Sequence, residues 1–121
     1  LKRKYLISTL SNGNVALLAN MARHARLPWD CILSAELFRA YKKEPAVYIG
    51  ACDMLCLKRN EVMLVAAHKD DLLAAQQQGL RTAFVPRPGE YGPRKPPAEP
   101  PGFVPDIEAP SFTALADKLG A

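Results

Sequence analysis

Five consecutive apolar residues, Val62-Met63-Leu64-Val65-Ala66, run directly into Ala67-His68-Lys69-Asp70-Asp71. A strand with one wet face alternates polar and apolar side chains. An unbroken apolar run instead implies burial on both faces, as in a parallel sheet covered by helices. The charged stretch that follows predicts a helix from Asp70 to about Gln78. Acidic residues in a first turn favour the helix dipole, and Gly79 supplies a C-terminal stop. Arg81 to Val85 is expected to be the next strand.

The same alternation holds upstream. Tyr5 to Leu10 predicts a short buried strand ended by Ser11-Asn12-Gly13. Asn14 can cap a helix through about Arg26, with Val15, Leu17, Leu18 and Met21 as its apolar face. Pro28 prevents its continuation. Cys31 to Ser34 predicts a second strand, and Ala35 to Ala40 one helical turn. Pro45 suits the first turn of a helix reaching about Leu57, because its missing N–H costs nothing there. Strands alternating with helices predict an α/β fold with a mostly parallel open sheet and helices on both faces. From Pro86 to Pro110 the chain is dense in proline, and Pro96-Pro97 and Pro100-Pro101 oppose regular pairing. That stretch is expected to be an extended surface segment without catalytic residues. Ser111 is expected to cap a last helix, Phe112 to Leu119, with Phe112, Leu115 and Leu119 on one face. The expected division is therefore a core over 1–85, an extended segment over 86–110 and a packing helix over 111–121.

At 121 residues the chain is one domain or a piece of one. It begins with Leu1, which suggests a portion of a longer reading frame. The net charge of +4 is scattered, with clusters only at Lys2-Arg3-Lys4 and Arg94-Lys95. No aromatic stacking platform accompanies them, so a nucleic-acid partner is not expected. Nothing approaches the roughly 20 apolar residues that span a bilayer, and no secretory leader is visible. Cys31, Cys52 and Cys56 are odd in number, and His24 and His68 lie far from them. Free thiols in a reducing cytoplasm, with no metal bound, are the expectation.

In open α/β sheets, ligands bind beyond the carboxyl ends of the strands. Three places qualify. Ser11-Asn12-Gly13 offers a hydroxyl, an amide and backbone N–H groups to an anion; it also fits an ordinary strand-to-helix turn. Lys42 could neutralise a carboxylate, or it could form a solvated pair with Lys43. A carboxylate within His68-Lys69-Asp70-Asp71 could pair with a lysine or orient a water. Against that stands helix capping by Asp70, with Asp71 as first-turn charge and His68 as a hydrogen-bonded loop residue.

Taken together, these segments resemble the type II (S)-2-haloacid dehalogenases of the haloacid dehalogenase superfamily. The resemblance rests on Leu10-Ser11-Asn12-Gly13, on Tyr41-Lys42 followed by Val47-Tyr48, and on Met63 to Leu72 continuing into Gly79-Leu80-Arg81-Thr82. Val85-Pro86-Arg87-Pro88, Glu90-Tyr91-Gly92-Pro93 and the closing helix extend it across nearly the whole chain in family order. It implies a partial Rossmann-like core: the C-terminal part, without the central first strand and without the helical cap.

The implied chemistry is hydrolytic dehalogenation of a small 2-halo carboxylic acid. An aspartate outside this chain attacks the carbon bearing the halogen, and water hydrolyses the resulting ester. Ser11 and Asn12 would hold the substrate carboxylate or the nucleophile, and Tyr48 would bind substrate. Lys42 would pair with the nucleophile, Asp71 would position Lys42 or the water, and His68 would orient the water or the ester carbonyl. No cofactor is implied, and homo-oligomerisation is left open. Two departures concern substrate: Lys43 stands where proline often follows the lysine, and Ala66 or Ala67 stands where a small polar residue is common.

The resemblance also implies a gap. A central strand between Tyr5–Leu10 and Val62–Ala66 would be absent, and strands pair at about 4.8 Å. Non-native pairing, a second chain or an open hole would then occupy the space. Two alternatives remain: a magnesium-dependent phosphatase of the same superfamily, with Asp70-Asp71 near the metal, or a non-catalytic chain.

Overall fold

The computed structural model describes residues 1–121. Its elements in chain order are β1 (Ser8–Ser11), α1 (Val15–Ala25), β2 (Cys31–Ser34), α2 (Pro45–Met54), β3 (Met63–Ala66), α3 (Lys69–Gln77), β4 (Arg81–Phe84), β5 (Ile107–Glu108) and α4 (Phe112–Lys118). Single 3-10 turns occupy Ala35–Phe38 and Arg59–Glu61. Every strand pairing is parallel.

The strands form two sheets. One is β1-β2, with Ser8 opposite Cys31 and Ser11 opposite Ser34. The other is β3-β4-β5. β1 and β3 do not pair, and an apolar groove of about 570 Å³ lies between them. Thr9 and Leu10 line one side, Leu64 and Val65 the other, and Leu115 and Leu119 of α4 also reach it. Of the three outcomes expected for this space, non-native pairing of β1 with β3 is not formed.

Local chemistry explains the element boundaries. Asn14 caps α1 as expected, its Oδ1 accepting from the Leu17 N–H at 2.8 Å. β1 starts later than Tyr5 because the chain turns back on itself first: the Lys4 and Tyr5 N–H groups donate to the Leu1 carbonyl. The Ile7 N–H is then taken by the Asp30 carboxylate at 2.8 Å. α2 stops before Leu57 because Cys56 adopts a left-handed conformation, φ +54°. The residue before α3 is His68, not Asp70. The Asp70 carboxylate accepts from the Asp71 N–H at 2.9 Å and from Lys43 Nζ at 3.1 Å, so the alternative reading of Asp70 as the helix cap does not hold.

The proline-dense stretch is less featureless than expected. Ile107 and Glu108 pair with Ala83 and Phe84 of β4. Pro105 and Pro110 flank this pair of residues, so no ladder donor is lost. Asp106 clamps the junction, accepting from the Thr82 N–H at 2.8 Å while its own N–H donates to Thr82 Oγ1 at 3.1 Å.

Two clusters make up the core. Tyr48, Cys52, Leu64, Leu72, Ala75 and Leu80 pack between α2, α3 and β3. Ala83, Val85, Ala109 and Leu115 pack between β4 and α4. Gly50 permits close contact of α2 with Phe38, since a Cβ there would sit 2.5 Å from the Phe38 ring. No helix is long and apolar enough to cross a membrane.

Candidate active site

Asp71 lies in the first turn of α3, the turn facing α2. Its carboxylate is buried and doubly engaged. Lys42 Nζ lies 2.7 Å from Oδ2, and the Tyr48 hydroxyl donates to Oδ1 at 2.6 Å. Pro45 at the start of α2 turns Val47 and Tyr48 inward, where both are fully buried. Lys42 precedes that helix, and its backbone N–H donates to Asn12 Oδ1 at 2.7 Å. A hydrogen-bonded chain therefore runs Asn12–Lys42–Asp71–Tyr48. It joins the turn after β1 to the first turn of α3.

The Ser11-Asn12-Gly13 turn is fixed from both sides. Ser11 Oγ accepts from the Gly13 N–H at 3.2 Å, and Ser34 Oγ donates to the Gly13 carbonyl at 2.6 Å. The Ser34 contact ties the ends of both β1 and β2 to the turn.

Electrostatics follow from burial and pairing. Burial and the hydrogen bond to the Asp71 carboxylate push the Tyr48 phenol well above its usual value, so it remains a donor. Burial also acts to raise Asp70, but Lys43 Nζ at 3.1 Å and the Asp71 N–H outweigh it, and the carboxyl is held low. His68 turns toward the proline-dense segment, with Nε2 2.7 Å from Glu90 Oε1. Arg87 holds the other oxygen of Glu90 at 2.9 Å. The His68 contact keeps the Glu90 carboxyl below the ordinary range. Lys69 reaches Glu99 at 3.1 Å and sits over the Phe84 ring, 4.8 Å from its centroid.

Ser11, Asn12, Lys42, Tyr48 and Asp71 are thus brought to one end of the molecule. Lys42 is no solvated lysine: its side chain is 18% exposed against 60% for Lys43. Nor is Asp71 merely first-turn charge. Tyr48 is fully buried, and its hydroxyl donates to Asp71. His68 stands outside the hydrogen-bonded chain. Glu90 lies in the proline-dense segment, where no functional residue was expected. The signal was the Glu90-Tyr91-Gly92-Pro93 run already noted in that segment. No group of three or more His, Cys, Asp or Glu side chains is placed to hold a metal ion.

The architecture is an α/β one: parallel strands whose carboxyl ends present a lysine held by a buried carboxylate. Comparison with known proteins extends this. No protein-family model matches the chain. The (S)-2-haloacid dehalogenase 4A of Burkholderia cepacia is 35% identical over 98 residues, covering 75% of this chain and 42% of the relative. The (S)-2-haloacid dehalogenase of Pseudomonas sp. (strain YL) is 30% identical over 120 residues, covering 97% of this chain and 49% of the relative. A crystal structure of an L-2-haloacid dehalogenase superposes with a TM-score of 0.90 at 48% identity, covering 98% of this chain and 52% of that one. A defluorinating L-2-haloacid dehalogenase gives 0.91 at 45%, covering 99% and 49%. The chain belongs to the haloacid dehalogenase family, in its type II branch, and its fold is a partial haloacid dehalogenase core. It spans about half the length of the curated relatives it matches.

Proposed function

We propose that this chain supplies the supporting side of a hydrolytic 2-haloacid dehalogenase site. The observation that carries the reading is the Lys42 ammonium held on buried Asp71, in a fold whose β1 and β3 are separated by an open apolar groove. A strand seated between β1 and β3 would carry the attacking aspartate at its carboxyl end, next to Lys42. Its carboxylate displaces halide from the substrate carbon and forms an ester. Water then attacks the ester, releasing a 2-hydroxy acid and regenerating the carboxylate. Lys42 offsets the charge of the nucleophile. Asp71 and Tyr48 hold Lys42, and Ser11 with Asn12 lies where the substrate carboxylate or the nucleophile would be bound.

The substrate class is small 2-halo carboxylic acids, and no cofactor is required. A magnesium-dependent phosphatase fits less well, because both Asp71 oxygens are engaged by Lys42 and Tyr48 and Asp70 is paired with Lys43. Three free cysteines fit a cytoplasmic setting. On this reading the chain alone releases no halide.

The test is halide release from 2-chloropropionate by a polypeptide extended to the length of the relatives, with and without magnesium. Magnesium-independent release is expected. Lys42→Ala should slow it by about a hundredfold or more, the scale of losing one preorganised electrostatic partner. Wild-type rates in a folded Lys42→Ala protein reject the reading.

A further inference from the structure

We infer that Glu90 is a positioning residue for His68, fixing which ring nitrogen faces the reaction; the catalytic part of this inference rests on the dehalogenase reading above.

His68 is extended, φ −119° and ψ 117°, at the junction of β3 and α3. Its side chain makes no capping bond to the helix it precedes, so it is free for another partner. That partner is Glu90, 22 residues on, at 2.7 Å. The segment is shaped to deliver the carboxylate. Gly89 at φ +77° and Gly92 at φ +57° turn the chain on either side of Glu90, where a side chain would be strained. The Glu90 N–H closes a turn onto the Arg87 carbonyl at 3.2 Å. Arg87 occupies Oε2, which leaves Oε1 for the imidazole.

The chemistry follows from donor and acceptor inventory. An ionised carboxylate can only accept, so Nε2 must carry the proton. In neutral His68 the remaining lone pair is then on Nδ1. A histidine oriented in this way by a second partner presents one defined acceptor to a water or polar group at the strand end. The charged and titratable groups around the ring are Lys69 and Asp70 of α3, Lys43 paired to Asp70, and Arg87, Glu90 and Tyr91 of the proline-dense segment. The same region walls a cavity of about 270 Å³ lined by His68, Asp70, Tyr91 and Pro96 among others. The His68 side chain is 46% exposed, so solvent reaches the ring.

The test uses two readouts. The chain has only two histidines, and His24 of α1 serves as internal reference. In nitrogen-15 NMR of the 121-residue chain, the Nε2–H proton of His68 should be observable in the wild type and lost to exchange in Glu90→Ala. Glu90→Gln, whose amide oxygen still accepts, should restore the signal in part. His24 and the α3 amides should not change, which verifies the fold. Identical His68 signals in wild type and Glu90→Ala overturn the inference. In the halide-releasing polypeptide, Glu90→Ala should lower kcat roughly ten- to hundredfold, the usual effect of losing an orienting partner, with Glu90→Gln recovering part of it. A full rate in Glu90→Ala, alongside a silent Lys42→Ala, overturns the positioning role and leaves the dehalogenase reading standing. An active Lys42→Ala rejects that reading, whereas the NMR result stands or falls separately.

Discussion

The sheet of β3, β4 and β5 and the sheet of β1 and β2 are built from similar short parallel strands, but they are finished differently. In the first, Leu64, Thr82 and Ala83 are buried, α3 and α4 supply Leu72 and Leu115, and two hydrophobic clusters form. In the second, all four residues of β1 are only half-buried, and α1 buries just Ala22. Leu17 and Met21, on the expected apolar face of α1, are about half exposed. The smaller sheet and the turn after β1 contribute Ser11 and Asn12 to the site; Leu10 packs against the first cluster, and Asn12 bonds to Lys42. A sheet edge without a neighbour loses both ladder bonds and the packing of the missing side chains.

The largest effect should come from the completed region. Leu72→Ala removes a side chain with no exposure from the first cluster. It should lower unfolding stability by about 2–5 kcal/mol in urea titration. Leu17→Ala, at a position 50% exposed, should stay within about 0.5 kcal/mol. Equal losses at the two positions would erase the contrast.

Next is the link between the sheets. Asp71→Ala strands the Lys42 ammonium and the Tyr48 hydroxyl together. After discounting for the partial exposure of the ion pair, about 2 kcal/mol should be lost. Tyr48→Phe, which removes one bond to the same carboxylate, should cost about 1 kcal/mol. A smaller, more local change is expected for Asn12→Ala, about 1 kcal/mol or less. Amide exchange should then quicken in β1 and β2 while β3 and β4 keep their protection. Uniform loss of protection would show that the two sheets open as one unit.

The smallest effect concerns Asp30, which secures the entrance to β1. The Ile7 N–H and then Lys2 hold its carboxyl below the ordinary range. The folded state therefore binds this proton less readily than the unfolded state. Its contribution is present above the unfolded carboxylate value and is lost as pH falls through the folded one. Protection of the Ile7 amide should decline over that acidic window in the wild type. In Asp30→Asn that dependence should vanish.

Much of this layout was legible without coordinates because the signals are local. An apolar run of strand length, Asn14 before α1, Pro45 at the head of α2 and Gly79 behind α3 each act within a few residues. The strand at Cys31–Ser34 was placed to the residue. Lys42 and Asp71 were chosen over Lys43 and Asp70 by family spacing. Composition alone does not separate either pair. The clamp of Asp106 on Thr82, the short strand at Ile107 and the contact of Glu90 with His68 were not legible. Each depends on segments more than 20 residues apart in the chain meeting in space, and proline density disguised all three.

What the sequence determined by itself is the order and kind of the elements other than β5 and the identity of the residues at the strand ends. Hydrophobic runs, caps and turn residues write those locally. The tertiary structure alone decided that the strands form two sheets with a groove between them, that Tyr48 serves Asp71, and that His68 looks toward Glu90. Those outcomes depend on which distant groups find a partner when the chain packs, and residue order does not encode that by periodicity.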